Sequence, residues 1–148
     1  MGRVFFNTKL NMSKITADYQ ALASDSGKTF LVHPTAATAL TLPTLATAGE
    51  GWNCTVVITE DTDGSDGGMG QIVNIDFGSG VDIVGMLMSQ EDSSAGDYAV
   101  NGDLFINFTA NASPGDMVNI WTDGNRWYCN GMVKAAGSDV KFHTAAAS

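Results

Sequence analysis

Apolar and polar residues alternate at period two in most segments of this chain that are rich in β-branched and aromatic side chains. In WNCTVVITE (52–60), Trp52, Cys54, Val56 and Ile58 fall on one face, the signature of a strand with one side in a core. KTFLVH (28–33) and TALTLP (38–43) read the same way around a turn at Pro34, and Pro43 stops the second strand for want of an N–H. This pair is expected to open a hairpin or meander. QIVNIDFG (71–78) and VDIVGMLM (81–88), separated by Gly78-Ser79-Gly80, read as a second hairpin, and LFINFTA (104–110) as a further strand. MVNIWTD (117–123) and RWYCNGMV (126–133) flank Asp123-Gly124-Asn125, and an Asp-Gly turn between alternating strands is a strong hairpin signal. The two W-x-C strands are expected to be neighbours whose aromatics share the core.

The segment RVFFNTKLNMSKITA (3–17) shows no 3.6-residue apolar face and is read as an extended arm. The pattern thus divides the chain into an N-terminal arm at 1–17, a β domain at 18–134 and a C-terminal tail at 135–148. The tail holds one short strand at 140–143 before a small-residue end expected to be loose. The predicted fold class is all-β: a single compact β-barrel or β-sandwich of about eight strands. A chain of 148 residues is long enough to bury a core without staples.

Charge changes the picture by its placement. The net charge is −9, yet residues 1–17 carry Arg3, Lys9 and Lys14 with no acid, while residues 29–125 carry thirteen acids and no Lys or Arg. Nucleic acid is not an expected partner, because phosphate binding needs a clustered basic surface. An acidic body favours solubility, and a basic, apolar arm favours docking. Burying Val4, Phe5, Phe6 and Leu10 on a partner would contribute about 1.5–3 kcal/mol per side chain before ordering costs. The alternative is that these side chains pack on their own domain.

Candidate chemistry is sparse. Ser26-Gly27-Lys28-Thr29 ends like a phosphate-binding loop, but Leu22 stands where the first glycine is required and a strand, not a helix, is expected to follow. Asp61, Asp63, Ser65 and Asp66 form an oxygen-rich loop lacking the closing glutamate of a calcium-binding loop, so a solvated hairpin loop is expected. His33 and His143 are the only histidines, too few for a His-based metal site or triad to be expected. Acids in Gly/Ser-rich turns read as solvated carboxylates. Cys54 and Cys129 are expected to be buried free thiols, and Trp52, Trp121, Trp127, Tyr128 and Phe108 to be packing residues rather than a sugar platform. The start MGRVFFNTKLNMSK lacks the apolar region of a secretory signal, and no run is long enough to span a membrane.

GKTFLV, TLP, GW with its alternating strand, and PGDMVNIWTDGNRW together resemble small β modules of bacteriophage virion proteins: head decoration (cement) proteins, head fibres and parts of tail fibres. The similarity covers about residues 26–133, with Gly27, Pro43, Gly51, Asp123 and Gly124 on turns and Trp52 and Trp127 in the core. It implies a non-enzymatic virion protein without cofactor, made in the host cytoplasm and placed on the outer surface of the capsid. The implied partner is the major capsid protein, with homotrimers as the assembly. The implied contact is the arm, through Arg3, Val4, Phe5, Phe6, Lys9, Leu10, Lys14 and Ile15. The long acidic region 60–103 departs from the pattern. The alternatives are a head-fibre or tail-fibre module that binds host surface glycans, and a carbohydrate-active enzyme.

Overall fold

The computed structural model describes residues 11–59, 70–90, 97–134 and 140–147. The protein is built from strands: β1 (Met12–Ile15), β2 (Tyr19–Gln20), β3 (Lys28–Val32), β4 (Thr38–Thr41), β5 (Asn53–Ile58) and β6 (Val73–Asp76). The second half adds β7 (Ile83–Ser89), β8 (Asp97–Tyr98), β9 (Phe105–Phe108), β10 (Met117–Thr122), β11 (Trp127–Val133) and β12 (Val140–His143). A four-residue helix, α1 (Leu45–Ala48), starts where the Thr44 side chain accepts the Thr47 N–H. None of the helices among the described residues is long and apolar enough to cross a membrane.

Two mixed sheets share one core. The seven-stranded sheet runs β1-β3-β5-β10-β11-β7-β8 and the five-stranded sheet β12-β9-β6-β4-β2. From β1 to β7 the chain changes sheet at every step, so β1, β3 and β5 lie parallel in one sheet and β2, β4 and β6 parallel in the other.

This winding overturns two hairpin expectations. β3 and β4 belong to different sheets, and so do β6 and β7, which the segment at Gly78 and Gly80 (both at positive φ) carries from one to the other. A period-two pattern says which side of a strand is buried, not which strand lies beside it. The β10–β11 hairpin is present as expected, with Thr122 opposite Trp127. The described residues form twelve strands, two of them only two residues long, where about eight are expected.

The inward faces supply the core, in which Phe30, Val56, Ile58, Val118, Ile120 and Leu87 of the larger sheet cluster with Leu40, Val73, Ile75, Ile106 and Phe108 of the smaller. Trp52 and Trp127 share the core, meeting edge to face at 5.5 Å, but their strands are not the expected neighbours: β10 lies between β5 and β11. Phe77 packs on Trp127 at 6.1 Å and joins the sheets.

Two segments expected to stand apart belong to this body. Residues 12–15 are strand β1 at the edge of the larger sheet, and Ile15 is 4% exposed, because its side chain finds apolar neighbours within its own domain. The C-terminal end is tied down rather than loose. β12 pairs with β9, and beyond it Asn74 exchanges two hydrogen bonds with the Ala147 backbone (3.1 and 2.9 Å), while Asn107 Nδ2 donates to Ala145 O at 2.9 Å.

Candidate functional site

The seven-stranded sheet turns one face to the core and the other outward. Strand register gives the outward residues as rows. One row reads Lys14, Leu31, Val57, Met117, Met132, Met88; the next Met12, Thr29, Thr55, Asn119, Asn130, Met86, Tyr98; the third Asn53, Trp121, Tyr128, Val84. Lys14, at the edge, is the only charged side chain in these rows. Of the nine large apolar residues exposed among the described residues, Met12, Val84, Met86, Met88, Tyr98, Trp121 and Met132 all project from this face. Surface apolar residues are ordinarily scattered singly, so their collection on one sheet face makes it the candidate contact surface.

The face has two ends. At one, Met88, Met117 and Met132 line shallow depressions that reach Pro114 and Val133. Thioether side chains are unbranched and polarisable and conform to varied partner shapes. Between strands about 4.8 Å apart, the row from Leu31 to Met88 covers roughly 19 Å. A polar belt follows, in which Thr55 Oγ1 donates to Asn119 Oδ1 (2.9 Å) and Asn119 Nδ2 donates to Asn130 Oδ1 (3.1 Å).

At the other end, Trp121 and Tyr128 stack, with ring centroids 5.9 Å apart and planes 12° apart. Their outward parity reverses the expectation that they pack in the core; Trp52, Trp127 and Phe108 do pack there. The Tyr128 hydroxyl donates to Asp123 Oδ2 at 2.9 Å, and Asp123 Oδ1 accepts the N–H groups of Asn125 (2.8 Å) and Arg126 (3.0 Å). Those N–H groups, then the Tyr128 hydroxyl, hold the Asp123 carboxyl below its ordinary range. The same bond pushes the Tyr128 hydroxyl above its ordinary value.

Of the arm residues expected to bind a partner, Arg3, Val4, Phe5, Phe6, Lys9 and Leu10 lie outside the described residues. Lys14 is exposed, whereas Ile15 is enclosed in its own core and is not an available contact. The loop residues Asp61, Asp63, Ser65 and Asp66 also lie outside. Among the described residues no group of three or more His, Cys, Asp or Glu is placed to hold a metal ion.

Several acids read as solvated are structural. Asp25, Asp103 and Asp116 are buried, and each accepts the backbone N–H three residues earlier, from Leu22, Val100 and Ser113, at 2.8–2.9 Å. Lys28, within the phosphate-loop look-alike, bonds Asp25 Oδ1 at 2.7 Å and opens strand β3. Cys54 and Cys129 are free and buried, as expected, and burial pushes both thiols up to about 12. Both face Ile120 from opposite sides, so they stand two strand spacings apart, about 9.6 Å, beyond the reach of a disulfide. Compared with family models, with curated proteins and with solved structures, the chain gives no match.

Proposed function

We propose that this chain is a structural protein of a bacteriophage particle, a decoration protein without an active site that adheres to the outer surface of the major capsid protein shell. We read its two sheets as a β-sandwich. The supporting observation is the concentration of exposed apolar side chains on one sheet face whose rows carry a single charge, Lys14, on the edge strand into which the N-terminal segment leads. Interface cores are depleted in charge and enriched in Met, Trp and Tyr, which is the composition of this face.

In this reading the arm, through Arg3, Val4, Phe5, Phe6, Lys9 and Leu10, holds the shell, and the methionine end of the sheet contacts neighbouring copies in a trimer. Each contact is modest, and repetition across a lattice multiplies it. The acidic remainder faces solvent, where like charge limits aggregation.

Imaging of the particle that carries the protein tests this. The expected result is a density of this fold repeated over the shell in trimeric clusters. A few copies confined to the tail, or none on the particle, would overturn it. Deleting residues 1–10 leaves β1 intact and is expected to abolish shell binding while the body folds normally.

A further inference from the structure

Four of the chain's seven methionines, Met86, Met88, Met117 and Met132, line one depression at the methionine end of the outward face. Register explains the gathering. Met132 stands opposite Met117 on one side and Met88 on the other, so three thioethers occupy consecutive positions across β10, β11 and β7. Met86 precedes Met88 by two residues on β7 and therefore projects from the same face beside it.

The free donor atoms of this depression are of one kind. Its other lining residues are Asn119, Asn130 and Gly131. The Asn119 carboxamide oxygen accepts from Thr55 Oγ1 at 2.9 Å and the Asn130 oxygen from Asn119 Nδ2 at 3.1 Å, so both side-chain oxygens are already engaged. Among the described residues no charged side chain or imidazole lines it. What remains is thioether sulfur, a soft donor with lone pairs and no proton to lose. Met86, Met88 and Met132 are 55%, 61% and 70% exposed and Met117 is half-buried, so all four are reached from solvent without opening the core.

We infer that Met88, Met117 and Met132, with Met86 as a fourth ligand, form a thioether site for a soft monovalent cation, Cu(I) or Ag(I). Thioethers favour such ions, whereas Ca²⁺ and Mg²⁺ require oxygen. Unbranched side chains with three rotatable bonds let the sulfurs converge on one ion from strands about 4.8 Å apart. Lys134 borders the adjoining depression that Met88, Met117 and Met132 also line, and its charge places the ion on the Met86 side. The net charge of −9 favours the approach of a cation. Cys54 and Cys129, the other sulfur donors, belong to the core on the inward side of the sheet and do not reach this site. The site is a property of the free chain and does not rest on the capsid reading.

The test is titration of the full chain, isotope-labelled at its methionine methyl groups, with silver(I) nitrate in chloride-free buffer, followed by nuclear magnetic resonance. The methyl signals of Met86, Met88, Met117 and Met132 are expected to shift together and to saturate at one ion per chain, with Kd below about 10 μM. Met12 is 53% exposed on the edge strand of the same face, and its signal is expected to stay in place. Ca²⁺ and Zn²⁺ are expected to move none of these signals. Met88→Leu and Met132→Leu keep an apolar side chain and remove the sulfur, and each is expected to weaken silver binding about tenfold or more. Circular dichroism confirms that each variant is folded. No shift up to about 1 mM silver, an equal shift at Met12, or unchanged affinity in Met132→Leu would overturn the inference.

Discussion

Asp25, Asp103 and Asp116 perform the same task at three places. Each sits at the end of a tight turn just before a strand, accepts an N–H from the start of that turn, and donates its own N–H to the carbonyl there, at 3.0–3.1 Å. A buried carboxylate is tolerable because these bonds replace its water. For Asp25, burial pushes the carboxyl up, but Lys28, the Leu22 N–H and the Tyr19 hydroxyl outweigh it, and the net value lies below the ordinary 3.8. A carboxyl lowered on folding stabilises the protein fully above its unfolded value and loses that contribution as pH falls through its folded value. The wild type is therefore expected to exceed Asp25→Asn in urea midpoint at pH 7, with the gap closing as pH falls below about 4. A gap that stays constant to about pH 2 would contradict this account. Close packing is as exacting at Gly85, where an added Cβ would run into the Cys129 sulfur and carbonyl across the β7–β11 ladder.

At the scale of elements, the alternation between sheets from β1 to β7 makes the parallel ladders depend on long connections, whereas the β10–β11 hairpin is local. The C-terminal segment closes the smaller sheet from outside. Asn74 and Asn107 are 8% and 5% exposed on its outer row because residues 145–147 cover them, and Asn74 bonds the Ala147 backbone in both directions as a strand would. Ending the chain at His143 removes three hydrogen bonds worth about 0.5–1.5 kcal/mol each. Part of that is offset by renewed hydration and chain freedom, so a loss of about 1–3 kcal/mol is expected from denaturant unfolding. An unchanged midpoint would show that the segment contributes nothing to stability.

For the whole molecule, the decisive asymmetry is between an acidic chain of net charge −9 and one sheet face whose rows carry a single charge, Lys14. Met86, Met88 and Met132 are 55%, 61% and 70% exposed, so replacing all three with serine removes little packing. The thermal midpoint of the triple variant is expected to stay within about 3 °C of the wild type. Its co-sedimentation with particles lacking the native protein is expected to fall about tenfold or more, since interface affinity concentrates in a few central apolar side chains. Full binding by a folded triple variant would remove the methionine end from the contact surface.

Sequence alone determined the all-β class, the β10–β11 hairpin, the buried thiols and the shared core of Trp52 and Trp127. Alternation at period two and an Asp-Gly turn are local signals, and local signals suffice to say which side of a strand is apolar. Tertiary structure decided the partners of β3, β4, β6 and β7, the burial of Ile15, and the anchoring of the C-terminal segment. It also turned Trp121 and Tyr128 outward, because an aromatic residue in a strand serves a core or a surface equally well until the rest of the core is in place. The outward rows combine residues from seven strands scattered between Met12 and Met132, and only register aligns them.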